Sequence, residues 1–226
     1  DLLRKAIELD ESLVDARLLL SRTHRSLSDY DSAIKNTRKT RNWAKTFNNK
    51  KAIAQSNFDL ASSFWMKGNL DSLLYYNKSS LKLGTELDNK YFILRSYRSI
   101  GSAYGRKQSH DSTLFYHQKS LELANQLADT MEIAASLSAL GTVSYFLDEE
   151  EKSLQYAEEG LRLYKKIDKK SAIIQQSINF AWIYNRYDKP KDAIKILEQA
   201  LTIAENENEK SAQATVKHLI AESYGE

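Results

Sequence analysis

Apolar residues recur at three- and four-residue steps along nearly the whole chain, and the apolar-polar alternation of half-buried strands is missing almost everywhere. Only one proline and seven glycines interrupt 226 residues, and Leu, Ala, Lys, Glu, Ser and Tyr dominate. This pattern predicts an all-α chain. Within it, Ser138–Phe146 reads SALGTVSYF. A mid-helix glycine costs about 1 kcal/mol relative to alanine, so Gly141 calls for a reason.

A 40-residue stride supplies the reason. Stepping by 40 from Gly141 gives Ser21, Ala61, Gly101, Ala181 and Ala221, all small. The residues just before them are Leu20, Leu60, Ile100, Leu140, Phe180 and Ile220, all large and apolar. Three residues after them stand His24, Phe64, Tyr104, Ser144, Tyr184 and Tyr224, mostly aromatic. A second column, Ala33, Leu73, Thr113, Ser153 and Ala193, is mostly small, and Leu81, Leu121, Leu161 and Leu201 keep the same register. No insertion breaks the stride from residue 14 onward. Gly141 is therefore expected where a second helix comes very close.

Each unit divides into two helical segments. Breaks are predicted near Lys67–Asn69, Lys107–Ser109, Asp148–Glu149 and Asp188–Lys189, and again near Asn48–Lys50, Asp88–Lys90, Ala128–Thr130 and Asp168–Lys170. Pro190 suits a first helical turn, and Ser109 and Asp188 are candidate caps. The acidic run Asp148–Glu151 fits a helix start, and Lys165, Lys166, Lys169 and Lys170 gather where that helix ends. The count is about a dozen antiparallel helices of roughly 14–18 residues.

The segments LGTVSY, IGSAY and FAWIY, with DAIKILEQAL, resemble the tetratricopeptide repeat. KAIELDESLVDARLLLSRTHRSLSDYDSAI is nearest the family's standard form, with Glu11 where proline is usual. Ser144 and His24 replace the aromatic, and Gly160 replaces the second-helix alanine. The 40-residue units are similar to the longer repeats of kinesin light chains and some bacterial signalling proteins. The resemblance covers essentially the whole chain. It implies a right-handed α-α superhelix, one solenoid over 1–226 with about five and a half helix-turn-helix repeats. The expected divisions are a second helix of a truncated repeat at 1–10, repeats at 12–48, 50–88, 90–128, 130–168 and 170–208, and a first helix at 209–226. Such ends would leave unpaired faces, so a flanking repeat or capping segment is expected. The chain begins without methionine, which fits a piece of a longer protein.

On a helical wheel, residues opposite the packed stripe of each first helix form a separate face, which the resemblance places on the concave side. It collects Arg22, Arg25 and Ser26; Asp59, Ser62, Trp65 and Met66; Arg95, Arg98, Ser102 and Arg106; Ser138, Thr142, Tyr145 and Phe146; and Asn179, Trp182, Asn185 and Arg186. Arginine forks suit carboxylates, and Trp or Tyr provide flat anchoring area. The expected partner is a protein or peptide, extended or helical, carrying acidic side chains or a free C-terminus. Arg95, Arg98 and Arg106 with Trp65 form the expected anchor. The bland reading gives the aromatics to inter-repeat packing and the arginines to solvation. The resemblance further implies a regulatory or sensor segment of a larger bacterial signalling protein.

The net charge of +3 hides an asymmetry: residues 1–110 carry 20 Lys/Arg against 11 Asp/Glu, a net +9, and the rest carry 13 against 19, a net −6. This polarity suits head-to-tail self-association. An RNA-binding helical repeat and a purely structural spacer or scaffold stay open as alternatives. No helix carries a dense Lys/Arg stripe, and the acidic half argues against a continuous nucleic-acid track. No cysteine is present, and no apolar run reaches the roughly 18 residues of a membrane span. No phosphate-cradling glycine loop occurs. His110 and His117 share a helix without further ligands nearby, His24 sits in the packing column, and Glu149–Glu151 read as a solvated helix start. No catalytic residue, metal site or cofactor is expected.

Overall fold

The computed structural model of the chain describes residue 5 and residues 13–225. Among the described residues there are eleven α-helices and no strand: α1 (Val14–Ser26), α2 (Tyr30–Thr46), α3 (Lys50–Met66), α4 (Leu70–Glu86), α5 (Lys90–Arg106), α6 (His110–Gln126), α7 (Thr130–Phe146), α8 (Glu150–Lys166), α9 (Lys170–Arg186), α10 (Pro190–Asn206) and α11 (Lys210–Tyr224). The helix expected within 1–10 lies, apart from Lys5, outside the described residues. No described helix is long and apolar enough to cross a membrane.

Helices α2 to α10 have 17 residues each, and three residues separate every helix from the next. The 40-residue stride is thus two steps of twenty. The middle residue of each connection is left-handed: Ser28, Asn48, Gly68, Asp88, Gln108, Ala128, Asp148, Asp168, Asp188 and Asn208 all have φ between 48° and 71°. Left-handed backbone costs an ordinary L-residue about 1–2 kcal/mol, less for Asn, Asp or Gly, which fill seven of these ten positions. The following residue closes the helix end. The Asn49 N–H reaches back to the Ala44 carbonyl at 2.8 Å while the Asn48 N–H bonds Lys45 at 3.1 Å. This Schellman closure satisfies carbonyls that the helix would otherwise leave bare.

The residue that completes one helix also caps the next. Asp29, Asn49, Asn69, Asn89 and Asp129 accept hydrogen bonds from the N–H three residues on, at 3.0–3.1 Å. Ser109 occupies a cap position, but its hydroxyl meets the Ser112 hydroxyl at 3.2 Å instead. Asp188 is not a cap. It takes the left-handed place, and Lys189 is the N-cap ahead of Pro190, which opens α10 without needing an N–H.

The chain divides into two compact units, Asp1–Lys107 and Gln108–Glu226. Residues 108–110 carry no Lys, Arg, Asp or Glu, so the first unit holds the +9 and the second the −6. Within each unit successive helices pack as hairpins, and first helices also meet across one position: α1 with α3, α7 with α9, and α9 with α11.

The second unit buries an apolar core built on residues such as Ala134, Leu161, Ile173, Phe180, Leu197 and Val216. Polar groups thread through both interiors. In the second, the Ser120 and Ser136 hydroxyls meet at 2.8 Å, and His117 and Gln176 are buried. In the first, asparagines take this role. Asn57 and Asn77 are fully buried. The Asn57 amide donates to the Ser79 hydroxyl at 3.1 Å and its carbonyl accepts from Arg41 Nε at 2.6 Å; the Asn77 amide donates to the Ser99 hydroxyl at 2.7 Å. These bonds offset much of the cost of burying amides.

The small column is buried from Ser21 through Ala181, and Ala221 is half-buried. A methyl added at Gly141 would lie 3.1 Å from the Ala157 nitrogen and 3.2 Å from the Ser153 carbonyl. The Gly141 carbonyl accepts the Ser153 hydroxyl at 2.9 Å. Gly160 mirrors this: its added Cβ would stand 2.9 Å from Ser138 Oγ and 3.3 Å from the Ala134 carbonyl. The α7–α8 pair therefore closes through a glycine on each helix. The aromatic column is uneven. Phe64 is buried and stacks on Tyr76 at 5.7 Å, Tyr184 stacks on Phe180 at 4.3 Å, and Tyr224 is exposed.

Two glycines separate two physical causes. Gly141→Leu should overpack the α7–α8 contact and cost about 1–3 kcal/mol in a urea unfolding titration. Gly68 has φ +71° with nothing near its α-carbon. There Gly68→Asn should be near neutral, and Gly68→Val should lose about 1–2 kcal/mol.

Candidate functional site

The first helices of the hairpins are α1, α3, α5, α7, α9 and α11, and the face opposite their packed stripe carries every candidate residue. Within each unit their three- and four-residue spacing brings them to one side. The two units differ in what that face presents.

In the first unit the face is basic. Arg22 and Arg25 of α1 converge on Asp59 of α3. Arg22 Nε lies 3.0 Å from both carboxylate oxygens, and Arg25 reaches Oδ1 at 3.2 Å and the Asp59 carbonyl at 3.3 Å. Asp59 is 5% exposed. The wheel puts Asp59 on the open face, but two guanidiniums cover it. The carboxylate ties α1 to α3, and its hydrogen bond holds the Arg22 proton more tightly than usual. Arg106 of α5 lies flat over the Trp65 ring of α3 at 3.6 Å. Arg95 sits 4.4 Å over Phe58, a buried ring, so its guanidinium serves packing as well as charge. Arg98 is half-buried beside them in sequence, and Met66 is exposed at the end of α3.

In the second unit the face is mainly aromatic, with Arg186 as its charged candidate. Thr142, Tyr145 and Phe146 of α7 and Asn179, Trp182 and Ile183 of α9 line a cleft of about 200 Å³. Phe146 and Trp182 are each 60% exposed. Phe146 is held by neighbours: His110 of α6 stacks on it at 5.5 Å, and Tyr145 stands edge-on at 5.1 Å. Tyr145 in turn meets Tyr187 at 6.4 Å and carries the Arg186 guanidinium at 5.0 Å. Arg186 also bonds Asp148 at 3.2 Å, so its charge is locally answered. The Asn179 carbonyl accepts from Gln175 at 3.3 Å.

Two members of the wheel-derived face do something else. The Ser138 hydroxyl donates to the Ala134 carbonyl at 2.8 Å and sits in the glycine contact. The Asn185 amide donates to Ser223 of α11 at 2.9 Å, joining two hairpins. His110 and Ile183 are absent from the wheel-derived face: the His110 brace comes from a neighbouring helix, and Ile183, buried in the core, lies toward the packed side of α9. His117 is buried, His24 bonds Asp29 at 3.0 Å, and no cluster among the described residues could hold a metal ion.

Several solved structures share this architecture. A Rap protein complexed with competence and sporulation factor superposes with TM-score 0.80 at 14% identity, over 94% of this chain and 63% of its own. A signal transduction ATPase with a tetratricopeptide repeat sensor, from Pyrococcus horikoshii, gives TM-score 0.74 at 14% identity, over 100% of this chain and 40% of its own. YrrB, a tetratricopeptide-repeat protein with an unusual peptide-binding site, gives 0.56 at 15%, over 96% and 97%. The chain thus spans less than two thirds of the first two proteins. At these identities the likeness shows the fold, an all-α repeat solenoid of the tetratricopeptide type. No family model and no curated protein matches the sequence.

Asp59→Ala would leave Arg22 and Arg25 facing each other without their shared carboxylate. The expected loss is about 1.5–3 kcal/mol, the range for hydrogen bonds to charged groups. Hydrogen exchange should rise first in α1, which this pair anchors to α3.

Proposed function

We propose that the chain is a non-catalytic peptide-recognition module, the regulatory or sensor segment of a larger signalling protein. The observation that carries this reading is the chemistry of the open first-helix face. It holds anchoring side chains where a spacer would need only solvated ones. Arg106 stacked on Trp65 couples a carboxylate-binding fork to a flat apolar surface. Phe146 and Trp182 keep large apolar areas in water, at a cost that a packed partner would remove.

A partner for the first unit is a peptide with acidic side chains or a free C-terminal carboxylate. Arg106 over Trp65, with Arg95 and Arg98 of the same helix, is the proposed anchor. The fold likeness supports the reading: one related structure is a complex with competence and sporulation factor, one contains a repeat sensor, and one has a peptide-binding site. Recognition here would work through shape and charge complementarity.

The test is fluorescence anisotropy with a labelled pool of 12-residue peptides rich in Asp and Glu and ending in a free carboxylate. Binding should weaken with salt. Replacing Arg95, Arg98, Arg106 and Trp65 together by alanine should reduce it at least about tenfold, or ~1.4 kcal/mol. Unchanged affinity in a variant with native circular dichroism would place the anchor elsewhere.

A further inference from the structure

We infer that the cleft between α7 and α9 takes a neutral stretch of peptide that inserts one large apolar side chain, Leu or Phe, between Phe146 and Trp182. This rests on the peptide-module reading and assigns ligand chemistry to the second unit, which differs from that of the first.

Size comes first. The cleft holds about 200 Å³, and a cavity of about 150 Å³ already accommodates a benzene ring. A phenyl or isobutyl group fits, and a single side chain fills it. Lining comes next. Of the six residues around the cleft, Tyr145, Phe146, Trp182 and Ile183 offer apolar walls, while Thr142 and Asn179 add polar edges. A mainly apolar lining with a few placed polar groups is the general composition of a binding cleft.

Charge narrows the occupant. None of the six lining residues carries a formal charge. The adjacent Arg186 is paired with Asp148 at 3.2 Å and lies over Tyr145 at 5.0 Å. An acidic or basic side chain would enter without a counter-charge and lose hydration. A neutral one suffers no such loss.

The two large walls are prepared differently. Phe146 is fixed by His110 on its face and by Tyr145 at its edge. Among the described residues, no ring, cation or hydrogen-bond acceptor is recorded against the Trp182 indole, which stays 60% exposed. One wall is preorganised and the other has a face and an N–H to offer. Thr142 has its hydroxyl turned back to the Ser138 carbonyl at 3.1 Å, so polar contact with the peptide backbone falls to the Asn179 amide and the Trp182 N–H.

Trp182 also reports on its own cleft. The protein has three tryptophans, and W43F/W65F leaves Trp182 alone. This variant of the whole chain is titrated with four capped tripeptides, Ala-Phe-Ala, Ala-Leu-Ala, Ala-Asp-Ala and Ala-Lys-Ala. The Phe and Leu peptides should give a saturable blue shift of Trp182 emission, with affinity at least about tenfold above the Asp and Lys peptides. Phe146→Ala should weaken the Phe peptide about tenfold with unchanged circular dichroism. Equal response to all four, or no effect of Phe146→Ala, would overturn the assignment. No response here, with the acidic pool still bound through Arg106 and Trp65, would overturn it and leave the peptide-module reading standing. Silence from both probes would overturn both.

Discussion

A single left-handed residue recurring every twentieth position governs this architecture. It ends one helix, and the next residue takes the N-cap place of the following helix, where Asp or Asn accepts a capping bond at five of the ten connections. With only three residues between helices, the chain has no slack. Within each unit, each helix reverses against its predecessor, and the same face of every second helix returns to the same side. The small columns, the packed stripe and the open face all inherit their alignment from this turn.

Close approach is the second layer, and it depends on the first. Because turn length is constant, the same sequence column meets the same partner column in each hairpin. Ala or Ser suffices at most crossings. The α7–α8 pair goes further, with Gly141 and Gly160 each seated against backbone of the opposite helix. Both units bury polar groups among apolar ones. The first links helices by amide and hydroxyl bonds through Asn57 and Asn77, and the second by the Ser120–Ser136 and Ser153–Gly141 bonds within aliphatic and aromatic packing. Hydrogen-bonded cores give direction to a helix pair, while apolar cores give more stabilisation per buried area.

The open faces differ between the units. In the basic unit, part of the charge is internal: Asp59 is buried under Arg22 and Arg25 and ties two hairpins. What looks in the sequence like three groove residues is in space one structural ion cluster. In the acidic unit, the cleft lining is neutral. Net charge per unit therefore describes long-range steering, and the few residues at each face describe recognition.

The sequence alone determined the helical class, the 40-residue stride, the break positions and the small column, because each is a local or periodic property. Gly141 could be read as a close crossing since its column repeats. Even the twenty-residue turn column, rich in Asp, Asn and Gly, was open to the same reading. Only the tertiary structure decided which groups on the open face face water. The wheel knows one helix, whereas Asp59 is covered from α1, Phe146 is braced from α6, and Asn185 is drawn to α11. Those partners lie 34 to 38 residues away in the chain, and their reach is set by helix packing, which no single helix encodes.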